Sequence, residues 1–172
     1  MKYLILLRHA KSSWKDMSLS DHDRPLNKRG KYAATLMGKR LNNKAIHPQK
    51  IISSSANRAL KTAHLVAQQI NYPTINIEFN RNIYLASAKE VLTIIAQTSD
   101  DIDKLMLVAH NPGITSLCNQ LLKSSHHYFE NIPTAGLVTI SIAVNNWMQI
   151  AASSVTQINI KLIDYDYPKL VT

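Results

Sequence analysis

Short apolar runs alternate along this chain with stretches whose apolar positions recur every three or four residues. Residues 3–7 are a continuous apolar run, the mark of a short strand buried on both faces. Residues 28–41 place Ala33, Leu36, Met37 and Leu41 at helical spacing, and Ile51-Ile52 form a short buried strand ahead of Ser53-Ser54-Ser55. Leu60, Ala63, Ala67 and Ile70 mark the next helical face. Ile75 and Ile77 alternate with polar neighbours, as in a half-buried strand. Ser87 with Glu90 three residues on has the form of a capping box, followed by an apolar helix face. Residues 104–109 read as a strongly apolar strand. Asn111 as N-cap and Pro112 in the first turn then open a helix through Ile114, Leu117, Cys118 and Leu121. From Leu137 to Ile163 the period falls towards two, predicting two or three antiparallel strands with a hairpin turn at Asn145-Asn146.

This strand–helix alternation predicts an α/β fold, a mostly parallel central sheet with helices on both faces and C-terminal antiparallel strands. Neither a repeat nor a linker interrupts it, so residues 1–172 are expected to form one domain. The polar stretch 11–25 is long for a connection and reads as a functional loop.

Composition narrows the partners. Twenty Lys and Arg against 11 Asp and Glu leave a formal charge of +9, which favours anions. The cations are scattered; the densest cluster, residues 27–31, is short and lacks aromatic interleaving, so no nucleic acid is expected. One cysteine, Cys118, excludes an internal disulfide and thiolate-rich zinc sites. The apolar segment after Lys2 is too short for a secretory leader, and no stretch reaches membrane-spanning length. A cytoplasmic protein, without membrane attachment and acting as a monomer, is the expectation.

Three of the predicted strands end on chemically capable residues. The first stops at Arg8-His9, the second leads to Arg58 in the opening turn of its helix, and the third stops at His110. Parallel strands direct their C-terminal ends to one side, where open α/β sheets bind ligands. Two arginines, two histidines and helix N-terminal amides would converge there, and arginine forks match phosphate oxygens. Plainer roles exist: Arg58 as a solvated first-turn residue, His110 as a satisfied strand-end histidine. Their recurrence on one edge favours a phosphoryl pocket.

These residues also carry a family resemblance. Arg8-His9-Ala10 with Lys11-Ser12-Ser13-Trp14 resembles the opening motif of the histidine phosphatase superfamily, and more specifically of its short SixA-type phosphohistidine phosphatases. Asp23-Arg24-Pro25-Leu26 with Arg29-Gly30 matches in order, as do Ser53-Ser54 with Arg58-Ala59 and Thr62-Ala63. Tyr84-Leu85-Ala86-Ser87, His110-Asn111-Pro112-Gly113 and Pro133-Thr134-Ala135-Gly136 complete the series. The resemblance implies a phosphoglycerate-mutase-like fold and a covalent mechanism, with His9 as nucleophile and Arg8, Arg58 and His110 holding the phosphoryl oxygens. No metal or other cofactor is implied. The implied partner is a phosphohistidine-bearing protein, a histidine-phosphotransfer domain or phosphocarrier of a signalling chain. Arg24 is a further candidate for substrate binding.

Two departures stand out. Ala10 occupies a position where many members have glycine, and the glutamate acid of the mutase-like branches has no counterpart in residues 82–86. Asp21 or Asp23 would have to serve as proton donor, although a solvated loop or a partner for Arg24 is the simpler role for either. A missing acid suits phosphohistidine, whose ring accepts a proton on its second nitrogen and leaves neutral. Alternatives are a small-molecule phosphomonoesterase of the same superfamily and an inactive phosphate-binding module. Aspartate-nucleophile phosphatases want their Asp-x-Asp pair after an apolar strand, but residues 17–20 before Asp21-His22-Asp23 are not one. A cysteine phosphatase would need arginine at position 124, which is Ser124. His126-His127 read as a polar loop.

Overall fold

The computed structural model describes residues 1–125, 127–152 and 158–170. His126 lies outside them, and so does part of the C-terminal region read as strands.

Six strands form one sheet in the order β3-β2-β4-β1-β5-β6. They span β1 Lys2–Arg8, β2 Lys50–Ser54, β3 Glu78–Asn80, β4 Lys104–Ala109, β5 Leu137–Ile142 and β6 Ile160–Asp166. The first four run parallel, and β5 and β6 add antiparallel at one edge. Apart from the charged residues at their ends, strands β1 and β4 are apolar because both of their faces are covered. Alternate residues go to opposite sides: Leu4, Leu6, Leu105 and Leu107 to one core, Ile5, Leu7, Met106 and Val108 to the other. Helices α3 (Ala88–Ala96) and α4 (Gly113–Leu121) supply apolar residues to the first core, as does the short α5 (Gln149–Ala152). Helices α1 (Lys28–Asn43) and α2 (Asn57–Gln69) supply the second.

Register positions the chemistry. Arg8 pairs with Ala109 and Ser53 with Val108, so the residues just past β1, β4 and β2 share one edge of the sheet. His9 N–H donates to Ala109 O at 3.0 Å. Two glycines bring loops in to meet them. A Cβ on Gly30, in the first turn of α1, would sit 2.1 Å from Lys11 O, so only glycine lets this helix abut the loop after β1. A Cβ on Gly113 would lie 2.2 Å from Ala86 O, which fixes the segment before α3 against the start of α4.

Three local expectations are corrected. Residues 74–76 form a 3₁₀ turn with Ile75 exposed, and the strand begins three residues later, at Glu78. The period of two there reflects Ile77 turning inward alone. Asn145-Asn146 is no tight hairpin turn: Asn146 Oδ1 accepts from Gln149 N–H and opens α5, so β5 and β6 pair across a longer excursion. Trp147, fully buried with its Nε1–H donated to Ile102 O, pins that excursion. Asn111 does not cap α4. Its side chain bonds Asn131 Oδ1 and Ile132 O and accepts from Thr115, while Pro112 follows a cis peptide bond and takes the cap position.

Candidate active site

An open pocket of about 260 Å³ lies at the C-terminal ends of the parallel strands, lined by Arg8, His9, Lys11, Ser12, Trp14, Asp21, Arg58 and Thr134. His9 is set from both sides. Its Nδ1 lies 2.8 Å from Ala10 O, and a carbonyl only accepts, so the proton resides on Nδ1 and the lone pair on Nε2. Thr62, inside α2, receives the Ala10 N–H at 3.0 Å and donates to Arg58 O, tying the end of β1 to the helix that carries Arg58. Burial, with Arg58 and Arg8 adding repulsion, lowers the His9 pKa to about 4, against the hydrogen bond to Ala10. His9 is therefore neutral near pH 7, with the lone pair of Nε2 facing Arg58 and the pocket.

Arg58 is buried at the second position of α2, and all three of its nitrogens have protein partners. Nε–H points to His9 Nε2 at 3.4 Å, Nη1 donates to Asp21 O, and Nη2 donates to Asp21 Oδ2 at 2.9 Å. Nη2 also lies 3.5 Å from His110 Nδ1. The guanidinium thus lies over the nucleophile's lone pair, where it would meet an incoming phosphoryl oxygen. Arg8 donates from Nη1 to Ile132 O and Asn131 Oδ1, leaving its buried Nε without a hydrogen-bond partner. A buried unpaired guanidinium N–H at a pocket wall is a ready anion donor.

His110 is brought to the same place but one layer deeper. It is 4% exposed, its ring centroid lies 4.8 Å from that of His9, and Tyr84 covers it edge-on at 5.5 Å. Its Nε2 is 2.7 Å from Ser54 Oγ at the end of β2. Burial, then His9 and Arg58, lower its pKa to about 3, so it too is neutral.

The remaining candidates divide. Asp21 lines the pocket, but the Tyr84 hydroxyl donates to its Oδ2 at 2.8 Å and Arg58 pairs with it, holding its carboxyl below the usual range. It is an ionised acceptor, which disfavours the donor role. Asp23 does not reach the pocket: its carboxylate accepts from Ser20 and pairs with His22, which also keep its pKa low. Arg24 is stacked 3.4 Å from the Trp14 ring centre and lies 3.6 Å from Asp21 Oδ1, both pocket-lining residues, and its buried Nε and Nη1 have no hydrogen-bond partner among the described residues. Cys118 is buried in α4 with its thiol pushed up to about 12, unsuited to attack.

Sequence reasoning missed Ser54 and the Tyr84 hydroxyl as contacts of the constellation. Ser54 closes a strand that leads to Arg58, a usable signal. Tyr84 lies before a left-handed Leu85 (φ 56°), which no residue type announced.

Comparison with known proteins gives the family and the fold. The family model described as histidine phosphatase superfamily (branch 1) matches residues 4–83. An uncharacterized chloroplast protein of Arabidopsis thaliana is 32% identical over 159 residues, covering 88% of this chain and 71% of that protein. The structure of a protein of Agrobacterium tumefaciens assigned as the phosphohistidine phosphatase SixA superposes with a TM-score of 0.76 at 25% identity, covering 97% of this chain and 98% of that one. A protein histidine phosphatase SixA complexed with tungstate shares the fold, with a TM-score of 0.77 at 17% identity over 96% of this chain and 97% of that one. The chain belongs to the histidine phosphatase superfamily.

Proposed function

We propose that this protein is a phosphohistidine phosphatase that dephosphorylates a histidine on a protein, a histidine-phosphotransfer domain or phosphocarrier, through a phospho-His9 intermediate. One observation carries the reading. A neutral His9, its Nδ1 proton held by Ala10 O, presents Nε2 to Arg58 in a pocket also lined by Arg8, whose only lining carboxylate among the described residues is ionised and engaged.

The chemistry follows from those groups. Nε2 attacks phosphorus while the substrate's N–P bond breaks and its electron pair returns to the departing imidazole. That ring carries a proton on its other nitrogen and leaves neutral, so no enzyme acid is needed. An alkoxide leaving group lacks this option and usually depends on a positioned acid, worth roughly 10²–10⁴-fold. Arg58 Nε–H exchanges His9 for a phosphoryl oxygen, Arg8 Nε–H takes a second, and His110 supports them from below. Water then attacks the phospho-His9 phosphorus. The bond electrons return to Nε2, the proton kept on Nδ1 makes His9 a neutral leaving group, and the water's proton departs with the phosphate.

The test compares a phosphohistidine peptide with glucose 6-phosphate. The expected result is a kcat/KM at least about 10²-fold higher for the peptide. Comparable values would identify a small-molecule phosphomonoesterase, and tight binding without turnover a binding module.

A further inference from the structure

A second concavity, of about 420 Å³, opens beside the catalytic pocket and shares Lys11 and Thr134 with it. Its wall is the first half of α1, presenting Arg29, Tyr32 and Ala33, and its opposite wall is the segment Tyr167, Pro168 and Lys169 beyond β6. Strand β6 runs in the direction of β1, because each is antiparallel to β5, so the segment emerges at the catalytic edge. Arg40 holds it there, donating to Asp166 Oδ1, Tyr167 O and Leu170 O.

The lining has one sign of charge. Lys11, Arg29 and Lys169 are exposed and have no carboxylate partner among the described residues, whereas Arg40 and Lys44 nearby are paired. Among the described residues no acidic one lines the groove; two tyrosines, two prolines and Ala33 provide its floor and sides. Cations over an apolar bed favour an acidic peptide that also buries a side chain. Continuity with the pocket places such a peptide on the same molecule as the phosphorylated histidine. The groove is short and lacks the extended basic track that a nucleic acid would use.

We infer that this groove is a docking subsite for an acidic segment flanking the phosphohistidine of the protein substrate. The inference rests on the phosphohistidine phosphatase reading and adds what the enzyme recognises beside the phosphoryl group.

Three substrates separate the two ideas: free N-phosphohistidine, and phosphohistidine peptides of equal length flanked by four glutamates or by four lysines. The unaltered enzyme is expected to prefer the glutamate peptide by about tenfold in kcat/KM, less at high salt. The exposed double variant R29E/K169E, checked for an unchanged Tm, should lose that preference while hydrolysing free phosphohistidine within about twofold of the parent. Equal kcat/KM for both peptides, or a preference that survives in the double variant, overturns the docking subsite and leaves the phosphatase reading standing. No hydrolysis of any of the three substrates by the unaltered enzyme overturns both.

Discussion

Ser54 Oγ lies 2.7 Å from His110 Nε2, inside the protein and out of reach of solvent. The same hydroxyl oxygen accepts the Ala56 N–H at 3.3 Å, and its second lone pair takes the His110 Nε2–H, since Nδ1 of the neutral ring faces the donor-only Arg58 Nη2. Ser54 is thus a positioning residue for His110, acting through the ring.

Removing that hydroxyl should be felt in turnover more than in binding. Ser54→Ala is expected to lower kcat about five- to tenfold with little change in KM, the scale of one buried hydrogen bond. Nitrogen-15 NMR of the His110 ring should show an altered tautomer ratio. Unchanged ring shifts with unchanged kcat would remove Ser54 from the mechanism.

Arg58 faces the nucleophile, Asp21 and His110 at once. Arg58→Ala is expected to lower kcat by roughly 10²–10³-fold, as when one preorganised donor is removed. Arg58→Lys should recover little of this, since a single ammonium cannot span three partners in a fork. Steady-state kinetics on a phosphohistidine peptide measures both, and a kcat equal to the parent's in Arg58→Ala would exclude it from the chemistry.

Asp21 separates two roles cleanly. As an ionised holder of Arg58 it should lose about tenfold in kcat on conversion to Asn, equally for p-nitrophenyl phosphate and phosphoserine. As a proton donor it would lose far more on phosphoserine, whose leaving group is the poorer one. A leaving-group-dependent loss would restore it as the acid.

The pH dependence follows from the two histidines. Their pKa values in the folded protein, about 4 for His9 and about 3 for His110, lie below the ordinary 6.5. Between pH 6.5 and 4 the unfolded chain therefore binds more protons than the folded one, so stability falls as the pH is lowered through that window. Tm should drop between pH 7 and 4.5, and the double variant H9A/H110A should flatten the drop. For the same reason kcat/KM for p-nitrophenyl phosphate, corrected for its own titration, should show no loss at pH 5.5 from a protonated nucleophile. A free-enzyme acidic limb near 6.5 would mean that His9 is not held as described.

Arg8-His9 and His110 were legible because they break an apolar run at a strand end, and Arg58 because it opens the helix that follows the short apolar strand Ile51-Ile52; parallel strands send such positions to one edge. What holds them was less so. The Ala10 carbonyl that sets the His9 tautomer is backbone and has no letter of its own. His110 lies deeper than a strand-end residue need be, because Tyr84 folds over it from a left-handed turn. Asp23 suited a phosphate loop by type, but a serine hydroxyl took its carboxylate locally. Ile75 and Ile77 imitated a strand because a 3₁₀ turn also leaves one of two spaced side chains facing inward.

The central claim is that His9 carries the phosphoryl group. Mixing the enzyme with a phosphohistidine peptide labelled in its phosphate, quenching in alkali where N–P bonds survive, and mapping the labelled peptide tests it directly. Label on His9 in the parent protein and none in His9→Ala is the predicted result. Turnover by His9→Ala, or label trapped on another residue, would contradict it.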